Sequence, residues 1–363
     1  MIKGNLNNLK KSNIGYSPYS LNYMYPGDRR RFCFFAKEAG LSYSLLDFKK
    51  SYDIVLLSSI ADLSKVKYIK KNGAKVIIDL VDSYLIKTNP LKDRLRYLGR
   101  SIKHKNYLNA LLPKKFTDHL KSVLSIADGI VCTTDEQKKA IQVYNSNVHK
   151  ILDNMDDDVF NANIIKSKKK NQINILWEGL ASNLINFKEV VEALNLLGSK
   201  LEVNLHIVTD LIHYKYLSNF QKINTIDIVN KYPFKINTFI YQWNKLCLSS
   251  MAANCDLAII PIDQNNNFVL GKPENKLTLL WKLGLPVYTS FTASYFRTMK
   301  KAGVNMICNS KEEWVCSLLN FHKMSDKNKK ELSDKLKQYA DNNYTKELLI
   351  QKWSNLFASV NNI

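Results

Sequence analysis

Cys255-Asp256-Leu257-Ala258-Ile259-Ile260-Pro261-Ile262, then Gly271-Lys272-Pro273-Glu274-Asn275-Lys276-Leu277, then Leu283-Gly284-Leu285-Pro286-Val287 read in order as a strand, a polar loop, a helix opening near Pro273 and a Gly-Leu-Pro turn into another strand. A loop that feeds a helix N-terminus presents backbone N–H groups and the positive end of the helix dipole. Lys272 and Lys276 stand beside that end, so the segment suits an anionic ligand such as a diphosphate, or else is a solvated connection with ordinary capping.

The same strand-then-helix rhythm extends in both directions. Upstream lie the short apolar runs Asp53–Leu57, Ala74–Ile78, Gly129–Cys132 and Lys150–Leu152. A second series comprises Ile173–Trp177, Val203–Val208, Ile236–Tyr241, Asp256–Ile260 and Pro286–Tyr288, with a helical stretch at Phe187–Leu197. Near-continuous Val/Ile/Leu runs of this length are the signature of parallel strands buried on both faces. Two successive series predict an α/β protein of two facing Rossmann-like domains. The polar, basic stretch Asn161–Gln172 is read as the linker. The expected domains are 1–160 and 173–335, with a C-terminal helix at 336–363 whose apolar face around Trp353, Leu356 and Phe357 needs a partner.

Composition narrows the function. The 363 residues are 45% hydrophobic and 11% aromatic, enough for full cores. Lys plus Arg number 53 against 32 Asp plus Glu, a net charge of +21, which suits nucleic acid, an anionic membrane or a phosphorylated substrate. No run reaches the length of a membrane span, and the polar opening lacks a signal-peptide core, so a cytoplasmic location is expected. Six cysteines form no CxxC pair and six histidines no pair at ligand spacing, so no metal or disulfide framework is expected. Asp156-Asp157-Asp158 reads as a structural turn. No nucleic-acid readout motif is present, and nucleic acid is the least expected partner.

Four pieces in order resemble GT-B glycosyltransferases, in particular family 4-like enzymes of the bacterial surface-polysaccharide type: Ala127–Thr134 before a helix, Ile151–Asp156 before the linker, Ile175–Gly179 opening the second domain, and Asp256–Val287. The resemblance implies that a nucleotide-diphosphate sugar, a substrate and not a cofactor, binds the second domain, and that the C-terminal helix crosses back onto the first. Retaining members carry paired glutamates in the last piece; their positions here are Leu279 and Gly271, leaving Glu274 as the candidate for the ribose hydroxyls. The donor phosphates are assigned to Lys272, Asn275 and Lys276, and to the turn at Glu178 and Gly179, with Ser182, Asn183 and Asn186 as neutral donors where related enzymes often place Arg and Lys.

The first domain is expected to hold the acceptor. In Tyr25–Phe32, Asp28 beside Arg29, Arg30 and Arg31 is either a general base near an acceptor phosphate held by those arginines or a helix cap. Asp82, just beyond the Ala74–Ile78 strand, is the other candidate base, because strand C-termini line the cleft of doubly wound folds. Ten cations against two carboxylates crowd Lys87–Lys121, where Leu91, Leu95, Leu98 and Ile102 make one helical stripe. That block is either an interfacial segment on anionic lipid or a solvated basic face over a core stripe. The reading is a metal-independent, hexosyltransferase-like enzyme, peripheral on the inner face of the plasma membrane, acting on a lipid-linked or polysaccharide acceptor. Its rivals are a nucleotide-sugar epimerase or hydrolase on the same fold and a non-catalytic basic nucleic-acid-binding or scaffold protein.

Overall fold

The computed structural model describes residues 9–85, 89–107, 114–163, 171–215, 221–266 and 270–361. Lys87, residues 108–113 of the basic block and residues 164–170 of the expected linker lie outside them. The chain forms two compact units: Met1–Asn154 with Gly271–Pro273 and Thr345–Ile363, and Met155–Leu270 with Glu274–Tyr344.

The first unit is built on a six-stranded, all-parallel sheet of β1 (Ile14–Ser17), β2 (Ser44–Leu45), β3 (Ile54–Ser58), β4 (Lys75–Asp79), β5 (Gly129–Cys132) and β6 (Val148–Lys150), in the order β2-β1-β3-β4-β5-β6. Every residue of β3 is buried, as are the last four of β4, which is why Ile54–Leu57 and Val76–Ile78 are unbroken apolar runs, each ending on a buried polar residue, Ser58 and Asp79. Helix α1 (Phe32–Ala39) lies against the C-terminal helix Lys346–Asn361. The Trp353 and Phe357 rings stack on Phe35 at centroid distances of 5.8 and 5.5 Å. Gly129 clears the way for that helix: a Cβ there would sit 2.7 Å from Val360 and 2.9 Å from Leu356. The apolar face around Trp353 thus finds its partner in the first unit.

Helix α2 (Pro90–Lys103) is held to α3 (Phe116–Leu124) by buried Asp93, whose Oδ2 accepts from the Thr117 hydroxyl at 2.6 Å and the Thr117 N–H at 3.2 Å. Tyr97 and Ser101 share the inner side. The leucine stripe faces outward: Leu91, Leu95, Leu98 and Ile102 are 66%, 57%, 37% and 47% exposed. Of the two readings of this block, the core stripe is the one that fails.

The second unit carries β7 (Gln172–Glu178), β8 (Glu202–Thr209), an antiparallel hairpin of β9 (Ile212–Lys215) and β10 (Gln221–Asn224), β11 (Asn237–Gln242), β12 (Leu257–Ile260) and β13 (Val287–Thr289). Its main sheet is parallel, in the order β11-β8-β7-β12-β13. Period-two alternation divides the core between the faces. Ile173, Ile175, Trp177 and Ile207 pack with Leu194 of α4 (Val191–Gly198) and with Trp314. Leu176, Val208 and Ala258 pack on the other face with Leu277 and Trp281 of α5 (Asn275–Lys282).

Several boundaries differ from the sequence reading. The last strand of the first sheet is Val148–Lys150, two residues earlier than Lys150–Leu152. The Phe187–Leu197 stretch divides into a 3-10 helix at Ala181–Glu189 and α4, the break falling at Val190 with φ −135°. The chain changes unit after Asn154 rather than at 160, and only the helix from Lys346 belongs to the first unit, the helix Asp326–Asn343 remaining in the second. Asp156–Asp158 is a 3-10 turn fixed by Lys282 on Asp156 (2.6 Å) and Lys245 on buried Asp158 (3.3 Å).

Candidate active site

In the second sheet β7 and β12 are neighbours from which the chain continues to opposite sides, so the crevice at their C-terminal ends is the switch point at which doubly wound folds take ligands. β7 ends on buried Glu178 and turns at Gly179. A Cβ at Gly179 would collide with the Lys276 ammonium and lie 3.3 Å from the Trp177 ring. Lys276 leaves the first turn of α5, donates to the Glu178 carbonyl oxygen at 2.5 Å, stands 4.0 Å from Glu178 Oε2 and lies 5.1 Å from the Trp177 ring centroid. Trp243 Nε1 donates to Glu178 Oε1 at 3.1 Å.

Around this turn the other expected donor residues take separate places. Glu274 is buried at the N-cap of α5 and makes no side-chain cap; burial lifts the Tyr295 and Tyr344 hydroxyls, and the Glu274 charge adds to it. Asn275 is half-buried in the first turn, Ser182 is exposed and Asn183 is half-buried on the 3-10 helix after Gly179. A glycine turn with a cation above it, at the opening of a helix, is chemically suited to a phosphate group.

In the first unit, β1 and β3 are the neighbours at the corresponding switch, and β4 follows β3. Asp82 stands three residues beyond β4, half-buried, and accepts from the Tyr84 hydroxyl at 3.3 Å, while its carbonyl accepts from Gln137 Nε2 at 2.7 Å. Burial lifts its carboxyl above the usual carboxylate range; Lys272, the Tyr84 hydrogen bond and Arg96 offset part of that. The result is a carboxylate of increased basicity at a strand end, the property a general base needs.

The structure gives four expected site residues other work. Asp28 is completely buried, and its two oxygens accept from Tyr16 OH (2.6 Å), Tyr19 N–H (2.7 Å), Ser20 N–H (2.9 Å) and Ser20 Oγ (3.0 Å); with its lone pairs so engaged it anchors a loop and is neither a base nor a simple cap. Arg31 is also completely buried, forked onto Asp79 (2.6 and 2.7 Å) and bound to Asp153 (2.9 Å), so no phosphate reaches it. Burial alone would lower its guanidinium; the two carboxylates reverse that and hold it above its ordinary value. Lys272 groups with the first unit, where its charge lowers the Asp82 carboxyl against the effect of burial. Asn186 is a brace: its amide donates to the Asn183 carbonyl (2.9 Å) and its oxygen accepts from the Asp263 N–H (3.0 Å), tying the loops after β7 and β12 together. Arg29 and Arg30, half-buried, are the last residue and the C-cap of the short helix Pro26–Arg29.

Sequence reasoning passed over Tyr84, Trp243, Asp210 and the Lys188–Asp263 pair (2.9 Å). Burial and the Glu178 charge lift the Asp210 carboxyl, with His213 offsetting part. Asp210, Trp243 and Asp263 share a signal, position within three residues of a strand C-terminus, which the apolar runs alone would have supplied. Among the described residues no group of three His, Cys, Asp or Glu side chains has the geometry to hold a metal ion.

No family model matches this chain, and no curated protein matches it in sequence. Solved structures do. A glycosyltransferase from Rickettsia africae ESF-5 superposes with a TM-score of 0.59 at 12% identity, over 96% of this chain and 97% of that one. Anabaena HepE, solved with UDP-glucose, gives 0.58 at 9% identity over 97% and 100%. S. aureus TarM, solved as a variant with Fondaparinux, alpha-GlcNAc-glycerol and UDP, gives 0.54 at 11% identity over 84% of this chain; this chain spans 55% of TarM's length. Identities this low speak for architecture, and the architecture they share with the two parallel sheets described above is the GT-B fold of glycosyltransferases.

Proposed function

We propose that this chain is a glycosyltransferase that moves a hexose-type sugar from a nucleotide-diphosphate sugar onto a glycan or lipid-linked acceptor at the cytoplasmic face of a membrane. The observation that carries the donor half is the Glu178–Gly179 turn with Lys276 seated above it at the second sheet's switch point. In the proposed complex Lys276 exchanges the Glu178 carbonyl for a donor phosphate, the N-terminal turn of α5 with Asn275 faces the diphosphate, Ser182 and Asn183 supply neutral contacts, and Glu274 takes the ribose hydroxyls. The acceptor oxygen attacks the anomeric carbon as the bond to the diphosphate breaks. In an inverting reaction Asp82 receives the acceptor's proton, with Arg29 and Arg30 beside an acceptor phosphate. Lys276 and the helix dipole meet the developing negative charge without a metal ion.

The membrane half is supported by α2. Its exposed Leu91, Leu95, Leu98 and Ile102 are flanked by Lys92, Arg94 and Lys103, the composition of an interfacial helix. Each cation near an anionic surface contributes on the order of 1 kcal/mol. Among the described residues no helix is long and apolar enough to cross a membrane.

A thermal-shift panel of UDP-, GDP-, CDP-, ADP- and dTDP-sugars tests the donor assignment. One class is expected to stabilise the protein, and Lys276→Ala to lose that shift. Silence across the panel, together with steep salt-dependent binding to RNA, favours the nucleic-acid rival. Product analysis with and without acceptor separates transfer from epimerisation or hydrolysis.

A further inference from the structure

The loop after β1 is hydrogen-bonded within itself, aromatic and exposed at Leu21, Met24 and Tyr25. Between Ser17 and Gly27 it carries no charged residue. Asp28 pins Tyr19 and Ser20 from beneath, Ser20 Oγ accepts from the Tyr25 N–H (3.1 Å), and Tyr23 takes a left-handed φ of 59° in the Ser20–Tyr23 turn. The Tyr19 ring lies against Gly27, where a Cβ would stand 2.7 Å from its Cδ2. Tyr19 also stacks with Tyr25, centroids 5.6 Å apart and planes 22° apart, and Tyr25 keeps 44% of its surface exposed. The two rings, with Gly27 against Tyr19, therefore form an aromatic platform on the loop that leaves β1 at the β1/β3 switch of the first sheet, the place where this topology takes ligands. A chain of hydroxyls runs from the platform to Asp82: Tyr19 OH to Ser59 Oγ (2.8 Å), Ser59 Oγ to Tyr84 OH (3.3 Å), and Tyr84 OH to Asp82 Oδ2 (3.3 Å).

We infer that Tyr25, backed by Tyr19, is a carbohydrate subsite on which the acceptor's pyranose ring stacks. A sugar ring has C–H faces that pack on an electron-rich ring and hydroxyl edges that seek polar partners. The loop offers an aromatic face at Tyr25, and Tyr19 links it to a buried line of hydroxyls that ends on Asp82; between Ser17 and Gly27 it carries no cation of its own, Arg29 and Arg30 following it in the chain. Asp28 is the positioning residue that sets the platform. This assignment rests on the proposed transferase reading only for the word acceptor; the subsite stands on its own geometry.

The test uses the full chain and the methyl glycosides of glucose, galactose and N-acetylglucosamine as probes, read by saturation-transfer-difference NMR, with octyl glucoside and glycerol phosphate as comparison arms. At least one methyl glycoside is expected to bind, to slow hydrogen exchange in a peptide spanning residues 18–28, and to weaken about two- to tenfold in Tyr25→Ala but not in Tyr25→Trp. Binding unchanged in Tyr25→Ala, binding that needs the octyl chain, or binding of glycerol phosphate alone overturns the inference. A nucleotide-sugar thermal shift without glycoside binding sinks the subsite and leaves the donor reading intact. Glycoside binding without any nucleotide-sugar shift does the reverse.

Discussion

Replacing Arg31 by Met separates a structural arginine from a ligand-binding one. The guanidinium makes four contacts inside the first unit: two to Asp79, one to Asp153 and one to the Ile151 carbonyl (3.0 Å). Met fills much of the volume but leaves buried Asp79 without the guanidinium forked onto it and removes the same cation from half-buried Asp153, and breaking a buried pair in this way costs about 3–5 kcal/mol. Hydrogen exchange read peptide by peptide reports that loss where it occurs. Amides of β3 and β4 that exchange through opening of the first unit are expected to accelerate roughly 100- to 5000-fold, while β7 and β12 of the second unit keep their rates. The pH dependence has a definite sign. Arg31 is what lowers the Asp79 carboxyl against the effect of burial, so without it the folded-state pKa climbs further above that of the unfolded chain. The folded variant then holds its proton more tightly than the unfolded one, and its deficit narrows as pH falls and widens as pH rises. Acceleration below tenfold, or the same acceleration in both units, would refute the reasoning; lost acceptor binding at undiminished protection would return Arg31 to the ligand.

Asp82→Asn is expected to lower transfer by a hundredfold or more, on the order of what positioned bases contribute, while the nucleotide-sugar thermal shift persists. In its proposed role Asp82 acts ionised, so the wild-type rate is expected to rise with pH through a point above the usual carboxylate range and Tyr84→Phe, which removes a hydrogen bond that lowers Asp82, to move that limb higher still; a limb unmoved by Tyr84→Phe counts against Asp82 as the base. Gly179→Ala places a methyl group where the Lys276 ammonium rests, at a backbone φ of 157° that side chains rarely adopt, and is expected to lower the unliganded melting temperature and to erase the nucleotide-sugar shift, both read in the same scan; a nucleotide-sugar shift that survives in the variant counts against the turn as the phosphate site. Neutralising Lys92, Arg94 and Lys103 together is expected to weaken co-sedimentation with anionic vesicles about 100-fold, and Leu95→Asp to abolish it; equal binding to neutral vesicles contradicts the electrostatic part.

Most of the architecture was legible because buried parallel strands admit little but Val, Ile, Leu and Ala: β3, β4, β5, β7, β8 and β12 all fall within or beside apolar runs. β1 escaped because Ile14-Gly15-Tyr16-Ser17 is short and mixed, and β2 because two exposed residues leave no pattern. The leucine stripe of α2 was legible as a stripe, but periodicity does not say which side of a helix faces the core; buried Asp93, the residue a hydropathy reading places outside, decides it. The site was legible where backbone carries it, at Glu178–Gly179 and the opening of α5. It was not legible where partners come from far along the chain: Arg31 meets carboxylates 48 and 122 residues away, and Asp28 is spent on a loop eight to twelve residues upstream. Asp28 has the same sequence neighbourhood whether it is a base or an anchor.

The Lys346–Asn361 helix also sets an order of events during synthesis. Phe35 and part of Phe32 on α1 are covered by Trp353 and Phe357, on a segment that leaves the ribosome after the whole of Met155–Tyr344 has been made. At about 5–20 residues per second that interval is on the order of 10–40 s. The half of the protein that is translated first is therefore the half that finishes last, and a chain stopped short of Thr345 presents an open aromatic surface to chaperones and to other nascent chains.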